Sequence, residues 1–294
     1  MNYLGIQTSE GIKIDNSKEV SVETIEFLDQ WRKVVEDFDN INSLFQLLVS
    51  EVSAFNKYMV ECSQKTIEDL NADEWFNTTL NKHVINIASN GRLFYEYLSL
   101  IIEKEYSEYE EEWEKQVSQI FDNNFSYRFF NKFRNYIQHI GFPITELKMK
   151  YEDENGKDKL IVEIQFKASV LLKKSKEWGK HIKPDLIELG DGNIIFSEIM
   201  WDYFHNLNQI HFNSLEVFMK KNYKFITKKY VKLIELCRKE LGGICVFYIS
   251  ESQLLKLNDG KFDELTGRPI TSLKNVNRVV NTLQEVGIIK KIVL

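Results

Sequence analysis

Proline, glycine and cysteine are scarce in this sequence. Three prolines and thirteen glycines among 294 residues leave few positions that interrupt a helix, so we expect long helices. The three cysteines, Cys62, Cys237 and Cys245, are odd in number and lack the paired spacing of a metal site, as is usual in a reducing compartment. No apolar run approaches membrane-spanning length, and no charged-then-apolar leader begins the chain. These absences predict a soluble cytoplasmic protein with no membrane partner.

An excess of positive charge is also missing. The net charge of −6 argues against a surface coated uniformly with nucleic acid. The charge is nevertheless unevenly distributed along the chain. Residues 103–115 contain seven glutamates and two lysines, whereas residues 220–240 contain seven lysines and one arginine against two glutamates. This asymmetry indicates either one acidic and one basic face or two solvated helix faces.

Hydrophobic residues are plentiful, at 43% of the chain, and they recur with helical spacing in several segments. The pattern predicts helices over residues 41–59, 80–102 and 197–241. A further helix is predicted from residue 114, with a break at residues 122–124 and an end before Pro143, because proline disfavours helical geometry in the residue before it.

After Pro143 the pattern changes to strict alternation. Residues 145–168 predict a β-hairpin, with Asn155 and Gly156 at its turn. Near the C-terminus, residues 243–250 predict a strand, residues 276–286 a helix and residues 288–294 a last strand. The predicted class is mostly α (α+β): a helical bundle over residues 21–241 with the hairpin inserted at 145–168, followed by a small α/β segment over residues 242–294.

The most informative polar pattern lies in residues 127–144, YRFFNKFRNYIQHIGFPI. On a helical wheel the apolar residues gather on one side. Asn135 and His139 each fall within about 20° of Arg128 on the other side, and Lys132 flanks them. Arg134 lies about 140° from His139, so the two do not share a face of one straight helix. Either an irregular helix end or a second copy of the chain is needed to bring both to one phosphate.

These residue types suit the cleavage of RNA without a metal ion. An imidazole moves protons near neutral pH, a guanidinium stabilises the charge that grows on the phosphate, and an amide orients either group. The same residues also suit a helix end with no site, because arginine and histidine near a helix C-terminus interact favourably with the helix dipole.

The run RNYIQH resembles the Arg-polar-x-x-x-His signature of HEPN domains, and residues 127–144 are similar to bacterial HEPN-type proteins. The resemblance covers about residues 41–143. It makes Arg134 the signature arginine, Asn135 its polar neighbour and His139 the signature histidine. It implies a helical bundle that forms homodimers and acts as a metal-independent endoribonuclease, without a cofactor, in toxin or antiphage systems. Gly141 stands where some of these toxins carry a tyrosine that is modified, so control of that kind is not expected.

The resemblance leads to a specific hypothesis. A ribose 2′-hydroxyl attacks the adjacent phosphate, with His139 as general acid or base, Arg134 as phosphate stabiliser and Asn135 as the orienting amide. Arg128 and Lys132 are expected to bind the substrate. Because Arg128 stands about 16 Å along the helix from His139, we expect it to hold a flanking nucleotide or a carboxylate on the acidic helix. An antitoxin or regulatory protein is a further expected partner.

Two other interpretations stay open at this point. The chain could be a HEPN-like module that binds RNA or a protein without cutting, or a purely structural helical interaction protein. The acidic net charge is compatible with both.

Overall fold

The computed structural model describes residues 2–8, 11–19, 21–153, 158–175, 178–240, 246–250 and 273–289. Most of these residues are helical, which confirms the predicted α-rich class. The helices are α1 (Val22–Ser63), α2 (Ile67–Ala72), α3 (Phe76–Glu105), α4 (Glu110–Asn123), α5 (Phe125–Ile140), α6 (Ala168–Lys174), α7 (Gly179–Leu189), α8 (Phe196–Glu240) and α9 (Leu273–Glu285). The strands are β1 (Asn2–Thr8), β2 (Gly11–Glu19), β3 (Glu146–Asp153), β4 (Asp158–Lys167), β5 (Asn193–Ile195) and β6 (Val246–Ser250). None of the described helices is long and apolar enough to cross a membrane.

The chain forms two compact units. One is the contiguous segment 41–214, and the other combines residues 1–40 with residues 215–294. The long helices α1 and α8 therefore contribute residues to both. The predicted domain boundary at residues 241–242 falls outside the described residues, and the two units have other limits than the predicted domains.

Helix α3 buries one side in the core of the 41–214 unit because its apolar residues return every three or four positions. Leu80, Val84, Phe94 and others along this stripe are almost fully buried. Gly91 lies on the same stripe, and a Cβ atom there would lie 2.5 Å from the hydroxyl oxygen of Tyr203 on α8. The absence of a side chain at Gly91 thus allows α8 to approach α3 closely.

Helix α5 is fixed by an aromatic cluster on its apolar side. Phe129 stacks on Phe133 and on Trp178, which precedes α7, with ring centroids 4.8 and 5.6 Å apart. Phe133 also contacts Phe166 of β4 at 4.8 Å, and Phe130 stacks on Tyr203 of α8 at 4.3 Å. Ring contacts with β4, with α8 and with the residue before α7 therefore hold α5 in place.

The predicted β-hairpin is confirmed. Strands β3 and β4 pair antiparallel from Glu146 opposite Gln165 to Asp153 opposite Asp158. The turn predicted at residues 155 and 156 lies outside the described residues. On β4, alternate residues from Leu160 to Phe166 are buried, as their periodicity predicts. The short strand β5 adds a third, antiparallel neighbour to β4.

The second unit contains an antiparallel sheet with the strand order β2–β1–β6. Phe38 of α1 packs on Phe218 of α8, and Arg278 of α9 forms an ion pair with Asp39 at 2.6 Å. The predicted C-terminal helix is confirmed as α9, and β6 lies within the predicted strand 243–250. Most of the last predicted strand, residues 288–294, lies outside the described residues. Near the N-terminus, strands β1 and β2 pair with each other in antiparallel fashion.

A buried histidine lies in the core of the 41–214 unit. The ring of His211 stacks on Phe45 with 4.1 Å between centroids, and its Nε2 atom has no hydrogen-bond partner among the described residues. Burial lowers the pKa of His211 to about 4 from an ordinary value of 6.5. Between pH 6.5 and pH 4, His211 is protonated in the unfolded chain but mostly neutral in the folded core. The free energy of unfolding therefore decreases as the pH falls through this range.

The difference between the pKa of His211 in the folded and in the unfolded chain predicts a core that is destabilised by acid. Between pH 7 and pH 4, wild-type protein should lose about 3 kcal/mol more unfolding free energy than His211→Phe, because the phenyl ring takes up no proton. Urea unfolding at several pH values measures the difference. His205→Phe, at an exposed position of the same helix, is the matched control and should keep the wild-type pH dependence. Parallel pH profiles for wild type and His211→Phe would contradict the prediction.

Candidate functional site

The outward side of α5 is bordered by α3 and α7. Helix α3 runs antiparallel to α5, and the Nη1 atom of Arg92 donates to the side-chain oxygen of Asn131 at 2.8 Å. On the other side, Arg128 pairs with Asp185 of α7 at 2.9 Å. Four residues of α5 face outward here, and we call them the polar strip of α5: Arg128, Lys132, Asn135 and His139. The first three are half-buried and His139 is exposed.

The C-terminal end of α5 is defined by Gly141. Its N–H donates to the carbonyl of Ile137 at 3.1 Å, and its φ of 104° is a conformation that side-chain-bearing residues rarely adopt. The helix thus ends at a glycine cap, two residues before Pro143. Beyond the cap, the N–H of Ile144 donates to the side-chain oxygen of Asn81 on α3 at 3.4 Å. The chain that follows His139 is therefore tied back to the neighbouring helix.

The structure excludes one of the two arrangements expected for Arg134 and His139. Helix α5 continues without interruption to Ile140, so there is no irregular helix end that turns the two side chains towards each other. Their angular separation of about 140° is that of a regular helix. Within one chain, Asn135 and His139 share a face and Arg134 does not. Of the two expected routes, only a second copy of the chain stays open, and such a pairing of the arginine with the histidine stays a prediction.

The three signature side chains are accessible. Arg134 and Asn135 are half-buried, His139 is exposed, and none of them makes a side-chain hydrogen bond or ion pair with a described residue. Their guanidinium, amide and imidazole groups are therefore free to contact a ligand. Lys132 is similar, and its ammonium lies beside Gly179 at the start of α7. Among the described residues, no group of three or more His, Cys, Asp or Glu side chains is arranged to hold a metal ion.

Arg128 is occupied by groups of the protein. Its Nη1 atom donates to the carbonyl oxygens of Phe121 and Asp122, at 3.2 and 2.6 Å, and its Nη2 atom donates to Asp185 at 2.9 Å. It thereby caps the C-terminal end of α4, where the helix dipole favours a cation. The expected carboxylate partner exists, but it lies on α7, while the acidic helix α4 supplies carbonyl oxygens. Substrate binding by Arg128 stays a prediction.

A pocket of about 520 Å³ opens beside Arg128. Its other lining residues are Phe125, Asp185, Glu188 and Leu189. Two carboxylates line this pocket, and its only guanidinium already pairs with one of them. The pocket therefore disfavours the phosphate group of a ligand. The polar strip is therefore more favourable for a polyanion near His139 than near Arg128.

A second histidine, outside the motif of α5, is held by a carboxylate, although its place near the start of a helix suggested an exposed side chain. The Nδ1 atom of His83 on α3 lies 2.7 Å from Glu51 Oε1 on α1, and Asn86 donates to the other carboxylate oxygen at 3.3 Å. His83 is nearly buried, with the rings of Phe55 and Tyr58 beside it. The feature of the sequence that indicates burial of His83 is its position on the buried stripe of α3. The arrangement joins α1 to α3 and fixes the orientation of the imidazole.

No protein-family model, curated protein or solved structure matches the chain. The resemblance to HEPN domains therefore depends on the motif residues and their helical setting. Membership of that family stays a prediction.

The contacts of Arg128 predict a structural penalty when it is removed. Arg128→Ala leaves two carbonyl oxygens at the end of α4 and the carboxylate of Asp185 without their donor, so we expect a loss of about 2 kcal/mol in unfolding free energy. Lys132→Ala on the same strip is the matched control and should change stability by less than about 0.5 kcal/mol. Urea unfolding measures both. A fully stable Arg128→Ala protein that binds RNA but has no turnover would instead place Arg128 in the reaction.

Proposed function

We propose that this protein is a metal-independent endoribonuclease of the HEPN type, acting in the cytoplasm as a toxin or antiviral-defence effector. The observation that supports this most is the end of α5. There, Arg134, Asn135 and His139 offer the required chemical groups to solvent, while the opposite face of the helix is fixed by stacked aromatic rings. The backbone that carries these groups is therefore fixed, which lowers the reorganisation that is needed when charge develops in a transition state.

The proposed reaction is an internal transesterification. The ribose 2′-oxygen forms a bond to the adjacent phosphorus while the bond to the 5′-oxygen breaks, leaving a cyclic phosphate and a free 5′-hydroxyl. His139 takes the proton of the 2′-hydroxyl or supplies one to the leaving oxygen. Arg134 stabilises the negative charge on the phosphate oxygens, and Asn135 orients the phosphate or the imidazole. Lys132, one turn before Asn135 and two turns before His139, extends the positive surface along the RNA strand.

The site is proposed to form between two copies of the chain. Because α5 is regular up to Ile140, the arginine of one copy and the histidine of another meet most directly when two α5 ends approach about a two-fold axis. Ile140 and Phe142, which flank Gly141, are 40% and 66% exposed and offer apolar surface at that place. Burying such surface in a symmetric contact favours association.

One observation favours the alternative, a HEPN-like module that binds RNA or a protein partner without cutting it. A single chain exposes His139 and Asn135 on one face but turns Arg134 elsewhere, and Arg128 is engaged by Asp185. Such a module would retard RNA on a native gel and leave its length unchanged.

The role of His139 predicts the outcome of a cleavage assay. His139→Ala should lower cleavage of total RNA and tRNA by at least about a hundredfold, since positioned acid–base catalysis contributes this much or more. The matched control is Gln138→Ala, at the exposed neighbouring position, which should keep wild-type activity. Assays are run with and without a chelator. Equal cleavage by wild type and His139→Ala would exclude the assignment, and activity that a chelator abolishes would exclude the metal-independent mechanism.

The shared site predicts complementation between two inactive proteins. Arg134→Ala and His139→Ala are each expected to be inactive, but a mixed dimer keeps one site with an intact arginine and an intact histidine. Partial activity should therefore return on mixing, at up to about a quarter of the wild-type level if subunits exchange freely and two sites form per dimer. Wild-type activity in a strictly monomeric preparation would contradict the shared site.

A further inference from the structure

A groove between α4 and α8 has an unusual lining. It has a volume of about 380 Å³ and lies within the 41–214 unit. Six of its seven lining residues carry a carboxamide, and the seventh is isoleucine: Gln116, Gln119, Ile120, Asn123, Asn124, Gln209 and Asn213. Asparagine and glutamine account for only 35 of the 294 residues, so composition alone does not produce such a lining. We call this feature the amide groove.

The walls of the amide groove are held together by a buried hydrogen bond. The indole N–H of Trp113 on α4 donates to the hydroxyl of Ser214 on α8 at 2.8 Å, and that hydroxyl donates in turn to the carbonyl of Ile210 at 2.8 Å. Trp113 and Ser214 are both almost fully buried. The two helices that supply the amides are therefore fixed in position before any ligand arrives.

Several amide groups in the groove are left available. Gln209 donates to the side-chain oxygen of Asn213 at 2.8 Å, and Asn124 donates to the carbonyl of Ile120 at 2.8 Å. Asn213 is 93% buried, since only 7% of its surface is exposed, and its NH₂ group is not used in the Gln209 contact. Gln116, Gln119 and Asn123 make no side-chain hydrogen bond with a described residue. The groove thus presents both donors and acceptors around a small apolar surface.

The lining selects the chemistry of a ligand. None of the seven described lining residues is charged, so a phosphate, carboxylate or ammonium group would be desolvated there without a partner of opposite charge. A carboxamide presents a donor and an acceptor side by side in one plane. The edge of a nucleobase has the same arrangement, and adenine, with its N6 donor beside its N7 acceptor, is the base that asparagine and glutamine bind in bidentate fashion.

We propose that the amide groove is a binding site for adenine, presented either as a free nucleoside or as an unpaired base of RNA. The groove begins near Asn124, whereas His139 is about 22 Å further along α5 at 1.5 Å per residue. It is therefore separate from the signature residues, and the proposal does not depend on RNA cleavage. The backbone of a peptide, which also carries amide groups, is the competing ligand that the experiment has to distinguish.

The test measures binding with full-length His139→Ala protein, so that any cleavage does not interfere. Fluorescence anisotropy follows labelled oligoadenylate and oligouridylate of equal length, and unlabelled adenosine serves as competitor. The groove variant is Gln116→Met combined with Gln119→Met, which keeps side-chain length and helix propensity but removes the hydrogen-bonding groups. Asn208→Met, at an exposed amide of α8 outside the groove, is the matched control. Thermal unfolding of each protein verifies that it is folded.

We expect oligoadenylate to bind about tenfold more tightly than oligouridylate, and we expect this preference to vanish in the double methionine variant but not in Asn208→Met. Displacement by adenosine identifies the free nucleoside as sufficient, and a preference without displacement identifies the base within a strand. Equal affinity for both oligonucleotides overturns the proposal, as does an adenine preference that survives the methionine substitutions. Binding of random peptides that the substitutions abolish, without adenine binding, also overturns it. Loss of RNA cleavage alone bears only on the nuclease proposal.

Discussion

Phe129, Phe133 and Tyr136 stack on Trp178 and Phe166, and this contact between aromatic rings determines where α5 lies. Rings of this size bury large apolar areas and prefer a few relative orientations, so they fix a helix in rotation as well as in position. The polar strip faces solvent because the aromatic side cannot. Strand β4 and helix α7 are thus part of the site's framework although neither carries a signature residue.

Polar contacts of two arginines then join α5 to the helices around it. Arg128 joins α4, α5 and α7, and Arg92 joins α3 to α5 through Asn131. These two arginines are committed to holding helices together. Arg134 has no such partner among the described residues. Of these three arginines near the polar strip, the one in the signature is thus the one most available to a ligand, and this division supports the proposed assignment of roles.

The sequence predicted the elements whose periodicity is unbroken. Helices α3, α4, α5, α8 and α9 and the hairpin β3–β4 follow from apolar spacing of 3.6 or 2 residues. The stretch that forms α6 and α7 was missed because lysines dominate it and Pro184 lies inside α7. Strand β5 has three residues, too few for a period to show. The first half of α1 was also missed, although Trp31 and Phe38 are fully buried there.

The candidate site was also predictable from the sequence only in part. The shared face of Arg128, Asn135 and His139 follows from helical geometry alone, and so does the separation of Arg134. The partners of Arg128 depend on where α7 packs, which no local pattern encodes. The pairing of His83 with Glu51 and the amide groove each join residues that are far apart in sequence. For these, single-helix periodicity shows which side chains face inward but not which ones meet.

The order of the two compact units along the chain has a consequence for biosynthesis. Residues 41–214 are contiguous, whereas strand β1 pairs with β6, so that Asn2 lies opposite Ser250. A ribosome delivers the chain from its N-terminus, and units fold as their residues emerge. The segment that carries α5 therefore has every one of its residues available while the first 40 residues still lack their partners in residues 215–294. The candidate site is built first, and the sheet that joins the two ends of the chain is completed last.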